Sequence, residues 1–254
     1  MRILVTNDDG IFSEGIYKLA KALQEVGEVV VIAPNSEQSA TGHSITLHRP
    51  LRVSKVKFFD TDIEAFAIDG TPVDCVKLGV EALLKDQAPD LVVSGINSGP
   101  NLGTDVIYSG TVSAAVEASI LDIPSIAVSM ASSKFQGFDE AAAFTCKIAK
   151  SIHHISDSKN TIMNINFPTC PSKLIAGVKV TTLGIRRYSN SLIERKDPRG
   201  NSYYWISGTA MELEQEDTSD VVAINNNYIS ITPIHFDLTN FESYEELKKF
   251  QFEK

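Results

Sequence analysis

The first ten residues are MRILVTNDDG, in which the apolar run from Ile3 to Val5 ends just before two adjacent carboxylates, Asp8 and Asp9. The run predicts a buried strand, and ligands of open α/β sheets bind beyond the carboxyl ends of such strands. Two neighbouring carboxylates repel unless a cation lies between them, and Mg²⁺ or Mn²⁺ prefers oxygen ligands of this kind. The alternative is a simple turn, because Asp-Gly is a common turn dipeptide.

The residues that follow predict a β-α-β unit. From Ile16 to Val26, apolar residues recur at i, i+3, i+4, i+7 and i+10, which indicates an amphipathic helix that ends at Gly27. A second apolar run at 29–33 predicts a parallel strand after a right-handed crossover. The polar segment 34–48 has no periodicity, and we expect a functional loop because it begins at another strand end.

Strand-like and helix-like segments continue to alternate along the chain. Further strands are predicted at 51–58, 63–68, 90–94, 125–130 and 162–165, and helices from 71, at 111–121 and at 139–155. This alternation predicts a Rossmann-like α/β fold, with a mostly parallel sheet flanked by helices.

The character of the sequence changes near residue 168. Short β-like runs at 178–182, 203–206, 221–224 and 228–231 are joined by polar loops, and 242–252 has the pattern of a short amphipathic helix. We interpret residues 1–254 as a single α/β domain, with 1–167 as the Rossmann-like core and 168–254 as a β-rich C-terminal extension.

Composition excludes several functional classes. The net charge of −9 and the lack of a dense Lys/Arg run argue against binding a nucleic-acid polymer. Three widely spaced cysteines, with neither a Cys-x-x-Cys pair nor zinc-like histidine spacing, are expected to be reduced and structural. Apolar runs are too short for a signal peptide or a membrane span, which predicts a cytoplasmic protein without a membrane partner.

Three predicted strand ends carry oxygen donors. The first is followed by two carboxylates, the second by a long loop with a hydroxyl, and the strand ending at Ser94 by an amide; the residues are Asp8, Asp9, Ser39 and Asn97. This donor set suits Mg²⁺ or Mn²⁺ and does not suit zinc or copper. A water bound to such an ion is a nucleophile with a lowered pKa, and the ion also neutralises charge that develops on a phosphoryl group.

A second group of residues has the features of a phosphate site. Ser109, Gly110 and Thr111 precede a predicted helix, whose first N–H groups and dipole attract anions. The alternative is structural, with Thr111 as an ordinary N-cap and Gly110 as a turn residue. Asn101 is either a turn residue or a donor to a phosphate oxygen, and His43 is either an acid, base or substrate contact or a solvated loop histidine.

Other chemistries fit the sequence less well. A nucleophile elbow requires Gly-x-Ser-x-Gly, whereas Ser98 lies one position too late within residues 95–99. Walker A and dinucleotide-binding glycine patterns are missing from the sequence. The basic pair Arg186 and Arg187 is either solvated loop charge or a contact to an anionic substrate. Metal-assisted hydrolysis by water is therefore the reaction class that uses the most of these residues.

Several motifs occur in a fixed order over nearly the whole chain: ILVTNDDG at 3–10, QSATGHSIT at 38–46, GTPVDC at 70–75, SGINSGPNLG at 94–103, YSGTV at 108–112, YYW at 203–205 and SITP at 230–233. In these motifs the chain resembles the SurE survival-protein family of metal-dependent nucleotidases. One departure is Gln38, where many members carry arginine.

The resemblance implies roles for individual residues. One divalent ion per subunit, Mg²⁺ or Mn²⁺, would be held by Asp8, Asp9, Ser39 and Asn97. The phosphate would be contacted by Asn101, Ser109, Gly110 and Thr111, with His43 as a further substrate contact. Catalysis would rest on Asp8, Asp9, Asn101, Ser109 and Thr111.

The resemblance also implies an activity and an assembly. Members hydrolyse 5′- and often 3′-nucleoside monophosphates, some trim short polyphosphate, and most form homodimers or homotetramers that exchange part of the C-terminal extension. The sequence therefore favours a phosphomonoesterase that hydrolyses nucleoside 5′-monophosphates to nucleoside and phosphate. The alternative is a non-catalytic, metal-dependent nucleotide-binding sensor.

Overall fold

The computed structural model describes residues 1–132, 137–155, 157 and 159–250. The strands of this part are β1 (Arg2–Thr6), β2 (Glu28–Pro34), β3 (Val53–Lys55), β4 (Glu64–Ile68), β5 (Leu91–Asn97), β6 (Ser125–Met130), β7 (Ile162–Phe167), β8 (Gly177–Val180), β9 (Tyr188–Ser189), β10 (Leu192–Lys196), β11 (Ser202–Ile206), β12 (Thr209–Ala210) and β13 (Tyr228–Ile234). The α-helices are α1 (Glu14–Leu23), α2 (Pro72–Leu78), α3 (Gly110–Ile120), α4 (Phe138–Ser151), α5 (Asp220–Asn225) and α6 (Phe241–Leu247). Short 3₁₀ turns lie at Gly103–Tyr108, Ile152–His154 and Ser172–Leu174, and a π-helical turn follows α2 at Gly79–Leu83.

One sheet organises the molecule, with the strand order β3-β4-β2-β1-β5-β6-β7-β13-β8. The six strands from β4 to β7 in this order are all mutually parallel. Numbered among themselves along the chain, they run 3-2-1-4-5-6, which is the Rossmann order. The predicted Rossmann-like fold is confirmed, and its topological switch point lies between β1 and β5.

Side chains of β1 alternate between two buried layers. Ile3 and Val5 pack in the cluster under α1 and α4, whereas Leu4 packs in the cluster under α2 and α3. This alternation follows from the pleat of a strand that is covered on both faces. Helix α1 forms as its apolar spacing predicts, because its buried residues Ile16 and Leu19 face the sheet. Both layers hold β1 rigidly, so the loop that follows it starts from a fixed point.

The C-terminal part contributes to the same sheet. Strand β13 pairs antiparallel with β7, and β8 pairs parallel with β13. Two antiparallel ribbons, β10-β11 and β9-β12, lie outside that sheet. Three of the four short runs predicted for 168–254, namely 178–182, 203–206 and 228–231, coincide with strands β8, β11 and β13.

Two secondary-structure predictions in the extension differ from the structure in type or in length. The run 221–224 was predicted as a strand and is wrong, because it lies in helix α5, where the Ser219 hydroxyl accepts from the Val222 amide at 3.2 Å and caps the helix. The C-terminal helix predicted for 242–252 spans Phe241–Leu247, and residues 251 and 252 of that prediction lie outside the described residues.

Three further sequence predictions can be compared with the structure. Strands β3 and β4 lie within the strands predicted at 51–58 and 63–68, and they pair antiparallel. The three cysteines are free and buried, as expected for structural thiols. Among the helices of the described residues, none is long and apolar enough to cross a membrane.

Candidate active site

Loops that follow β1, β2 and β5 meet at the switch point of the sheet. Strands β1 and β5 pair in register, with Thr6 opposite Ser94. Beyond these strands, the Ser98 amide donates to Asp9 Oδ2 at 3.0 Å. The Gln38 amide donates to the Asp8 carbonyl at 2.7 Å. The structure thereby brings the loops that carry Asp8, Asp9, Ser39 and Asn97 together, although these residues are far apart in sequence.

Asp8 is held by the first turn of α3. Its Oδ1 accepts from the Thr111 hydroxyl at 2.5 Å, and its Oδ2 accepts from the Thr111 amide at 3.1 Å. A Cβ atom at Gly110 would lie 2.9 Å from the Asp8 Cβ, so only glycine allows this approach of helix and aspartate. The helix N-terminus and the buried carboxylate therefore form one rigid unit.

The electrostatics of this edge favour a bound cation. Burial raises the pKa of Asp8 from its ordinary value. Burial and the neighbouring Asp8 charge raise the pKa of Asp9 to about 6. The carboxylate of Glu37 acts on both aspartates in the same direction. In the described part of the chain no Lys or Arg pairs with either aspartate, so no ion pair offsets the repulsion among these carboxylates.

The remaining predicted ligands offer oxygen atoms. Asn97 donates through Nδ2 to the Gly99 carbonyl at 2.9 Å, which leaves its Oδ1 as the donor atom for a metal. Ser39 is exposed, and its hydroxyl donates to Glu37 Oε1 at 2.6 Å. Over the described residues, no three His, Cys, Asp or Glu side chains group as a metal site. The predicted set contains only two such residues, and its oxygen donors fit Mg²⁺ or Mn²⁺ chemically.

The predicted phosphate residues lie at the start of α3. Ser109, rather than Thr111, is the N-cap, because its hydroxyl accepts from the Val112 amide at 3.0 Å. The Gly110 amide is the first of the helix and has no hydrogen-bond acceptor within the described residues. Thr111 donates both its amide and its hydroxyl to Asp8. Gly110 is thus the residue of this group whose N–H is open to an anion.

Asn101 sits on a buried amide network that the sequence analysis missed. Its Nδ2 donates to the Ser129 hydroxyl at 2.7 Å, and its own amide donates to Asn166 Oδ1 at 2.9 Å. The Asn101 carbonyl accepts from the Nδ2 groups of Asn164 and Asn166. The sequence signal for this network was the pair Asn164 and Asn166 within the buried strand β7, because buried amides require hydrogen-bond partners. One amide proton of Asn101 remains for a ligand.

His43 contacts a carboxylate of α3. Its Nε2 lies 2.9 Å from Oε2 of Glu117, a buried carboxylate in the middle of α3. The hydrogen bond to His43 lowers the pKa of Glu117 from its ordinary value, and the charge of Lys77 adds to the effect. The loop approaches α3 through the Gly42 amide, which donates to the Tyr108 carbonyl at 3.0 Å.

Two further aspartates hold the loops of the site in place. Asp74 closes the capping box of α2 with Thr71, and its carboxylate also accepts the amide and hydroxyl of Thr46, at 2.9 and 2.6 Å. Asp220, fully buried in the extension, accepts the amides of Gly103 at 2.8 Å and Gly184 at 2.9 Å. Sequence spacing carried no signal for either contact, since both join segments far apart in the chain.

Known proteins share this architecture. A family model described as Survival protein SurE matches residues 3–190. The 5′-nucleotidase SurE of Alkaliphilus metalliredigens is 66% identical over 254 residues and covers all of both chains. That of Carboxydothermus hydrogenoformans is 53% identical over 252 residues, covering 98% of this chain and 95% of the relative. The crystal structure of the SurE protein from Aquifex aeolicus is 43% identical, with a TM-score of 0.84 and 98% of each chain covered. With the site and fold arranged as above, the chain belongs to the SurE survival-protein family.

Proposed function

We propose that this chain is a metal-dependent 5′-nucleotidase that hydrolyses nucleoside 5′-monophosphates to nucleoside and phosphate. The observation that carries the proposal is the pair of adjacent carboxylates without an ion-pair partner, the buried Asp8 and the half-buried Asp9, beside the open N-terminus of α3. The relatives of Alkaliphilus and Carboxydothermus are named 5′-nucleotidases, which favours turnover over a non-catalytic sensor. Hydrolysis of 3′-monophosphates and of short polyphosphate belongs to the same proposal.

The metal ligands in this proposal are oxygen donors at the switch point: Asp8, Asp9, Ser39 and Asn97. They would hold one Mg²⁺ or Mn²⁺ per subunit. When bound, the ion supplies positive charge for the phosphoryl oxygens and lowers the pKa of a coordinated water. Thr111 acts by orienting Asp8, because both of its donors are committed to that carboxylate.

The phosphate would lie against the first turn of α3. The Gly110 amide and the helix dipole attract its charge, and the Ser109 hydroxyl and the remaining amide proton of Asn101 supply further donors. Such preorganised donors stabilise the charge that develops in the transition state, and Thr111 contributes through Asp8. A direct substrate contact by His43 stays a prediction, since its Nε2 is engaged with Glu117.

The test is phosphate release from a panel of 5′- and 3′-nucleoside monophosphates and tripolyphosphate. Metal-stripped protein would be assayed alone and with added Mn²⁺ or Mg²⁺. We expect release that depends on metal and is abolished by Asp9→Asn, whereas the exposed control Asp86→Asn keeps full activity. Nucleotide binding without release by folded, metal-loaded protein would contradict the proposal and support the sensor.

We also propose a homodimer or homotetramer of single α/β domains, assembled through the extension 168–254. The extension exposes large apolar side chains, among them Trp205 at 63%, Ile206 at 88% and Leu238 at 96%. Light scattering of the full chain measures the assembly, and a monomer at micromolar concentration would contradict it. The cytoplasmic location expected from the sequence stays a prediction.

A further inference from the structure

The loop that follows β5 is held in place by side chains of other elements. At its end, the Gly103 amide donates to the carboxylate of Asp220 in the extension. In its middle, the Asn101 amide donates to Asn166 Oδ1 on strand β7 at 2.9 Å. The position of Asn101, the proposed phosphate donor, therefore depends on a side chain 65 residues later in the chain.

Two asparagines of β7 clamp the backbone of Asn101. Asn166 accepts from the Asn101 amide through Oδ1 and donates to the Asn101 carbonyl through Nδ2 at 3.0 Å, so one side-chain amide binds both backbone groups. The Nδ2 of Asn164 donates to the same carbonyl at 2.8 Å. Within the described residues no donor reaches the buried Oδ1 of Asn164, so the hydrogen bond of this side chain goes to Asn101 alone. Three hydrogen bonds thus fix the backbone at Asn101.

The side chain of Asn101 is fixed by the neighbouring strand β6. Its Nδ2 donates to the Ser129 hydroxyl at 2.7 Å. Ser129 and Asn166 are register partners of the parallel pair β6–β7, so they lie about 5 Å apart on the same face of the sheet. Both are fully buried. The backbone and the side chain of Asn101 therefore rest on one rigid pair of strands, and this fixes the direction of the second Nδ2 proton.

Strand β7 has one face that packs the core and one face that holds Asn101. Its residues Met163, Ile165 and Phe167 belong to the apolar cluster under α1 and α4. Because side chains alternate along a strand, Asn164 and Asn166 lie on the opposite face. Buried amides cost stability unless they are hydrogen-bonded, and the hydrogen bonds of this pair go to one residue of the candidate site. The arrangement serves the position of that residue.

We propose that Asn164, Asn166 and Ser129 are positioning residues of the hydrolysis, which act through Asn101 by directing its free amide proton at the phosphate. The inference rests on the proposed function, because it takes Asn101 as a phosphate donor. A donor that is fixed before the substrate binds stabilises the charge of the transition state without reorganisation. Displacement of such a group by about 1 Å lowers the rate by up to about a hundredfold.

A double-mutant cycle with Asn101→Ala tests whether the positioning residues act through Asn101. Asn166→Leu removes both hydrogen bonds to the Asn101 peptide groups, and Ser129→Ala removes the partner of the side chain. Each is made alone and together with Asn101→Ala, and kcat/KM is measured for Mn²⁺-dependent phosphate release from a nucleoside 5′-monophosphate. Ser129→Ala deletes a single hydroxyl, so the cycle can be completed even where Asn166→Leu fails to fold.

The matched control is Thr232→Val. Thr232 lies opposite Asn164 on the adjacent strand β13, and its buried hydroxyl forms a hydrogen bond with Thr181 at 2.8 Å. The substitution removes a buried hydrogen bond from the same face of the sheet without touching Asn101. Thermal unfolding shows how far each variant is destabilised, and calorimetry of metal-stripped protein measures its Mn²⁺ affinity.

We expect Asn101→Ala to lower kcat/KM by about a hundredfold or more, as loss of one transition-state donor does elsewhere. Asn166→Leu should lower it by at least about tenfold and Ser129→Ala by about three- to tenfold. In each double variant the loss should match that of Asn101→Ala within about threefold, because no donor is left to position. Losses that multiply in the double variants would overturn the inference, as would an unchanged kcat/KM in both single variants.

The control and the metal affinity separate positioning from general damage. Thr232→Val should keep kcat/KM within about twofold, and Mn²⁺ affinity should change less than about twofold in Asn166→Leu and Ser129→Ala. A control that loses as much activity as these variants at equal thermal stability would count against the inference. So would Mn²⁺ binding that weakens as much as kcat/KM. A folded, metal-loaded parent that releases no phosphate would instead contradict the proposed function itself.

Discussion

Replacing Asp9 with asparagine should have opposite effects on stability and on activity. In the metal-free protein, burial and Asp8 raise the pKa of Asp9 to about 6, against 3.8 for an exposed aspartate. The free energy of unfolding therefore falls as the pH rises from about 4 to about 6. Above that range the full destabilisation by the ionised Asp9 is present. Asparagine has the same shape, carries no charge and can still accept from the Ser98 amide.

The size of the effect follows from the pKa difference. Each pKa unit corresponds to about 1.36 kcal/mol, so the ionised carboxylate costs at most about 3 kcal/mol. Asp9 is only partly buried, and solvent screening reduces this to about 1–2 kcal/mol. We expect metal-free Asp9→Asn to be more stable than the parent by this amount at pH 8 and equally stable at pH 4.

Urea denaturation of metal-stripped protein at both pH values measures this difference, with Asp86→Asn as an exposed control. Added Mn²⁺ should stabilise the parent by mass action and leave Asp9→Asn unchanged, and the variant should release no phosphate. A variant that is less stable than the parent at pH 8 would refute the electrostatic reasoning. Full Mn²⁺-stimulated activity in Asp9→Asn would refute the assignment of the carboxylate to the metal.

Three further substitutions probe the supports of the site. Gly110→Ala places a methyl group 2.9 Å from the Asp8 Cβ, so we expect phosphate release to fall by at least about tenfold in a protein that still folds. Thr111→Val removes the hydroxyl that binds Asp8 and should weaken Mn²⁺ binding by about 10–100-fold, measured by calorimetry, whereas Thr111→Ser should restore it. Asp220→Ala leaves two buried amides without an acceptor and should lower the free energy of unfolding by about 2–5 kcal/mol in urea. The exposed control Asp217→Ala should change that free energy by less than about 0.5 kcal/mol, and equal stability of the two variants would count against the buried contact.

Prediction from the sequence succeeded where periodicity and local chemistry agree. The run from Ile3 to Val5 could be placed because a strand buried on both faces is uniformly apolar. The strand prediction for 221–224 was wrong, because a run of four apolar residues suits a helix as well as a strand. The capping hydroxyl of Ser219 was the local signal that distinguishes the two.

Periodicity and local chemistry could not predict side-chain contacts between segments that are far apart in the sequence. His43 was predicted as either an acid, base or substrate contact or a solvated loop histidine, and the structure shows it bound to Glu117, which is 74 residues away. Thr111 was considered as a cap or a phosphate donor, and its two donors are directed at Asp8, 103 residues earlier. The sequence alone does not distinguish these alternatives. A hydroxyl or an imidazole can hydrogen-bond to many kinds of partner, and only the folded structure shows which partner lies within reach.

The sequence by itself determined the α/β alternation and the oxygen chemistry of the strand ends, since both depend on local spacing and on residue type. Tertiary structure decided which of these groups meet. The strand order places β1 beside β5 and so brings the loop of Asp8 and Asp9 to the loop of Asn97, and Asp220 binds the extension to the loop that continues from Asn97. Such adjacency depends on crossovers and on buried hydrogen bonds that span more than a hundred residues, and no local pattern carries that information.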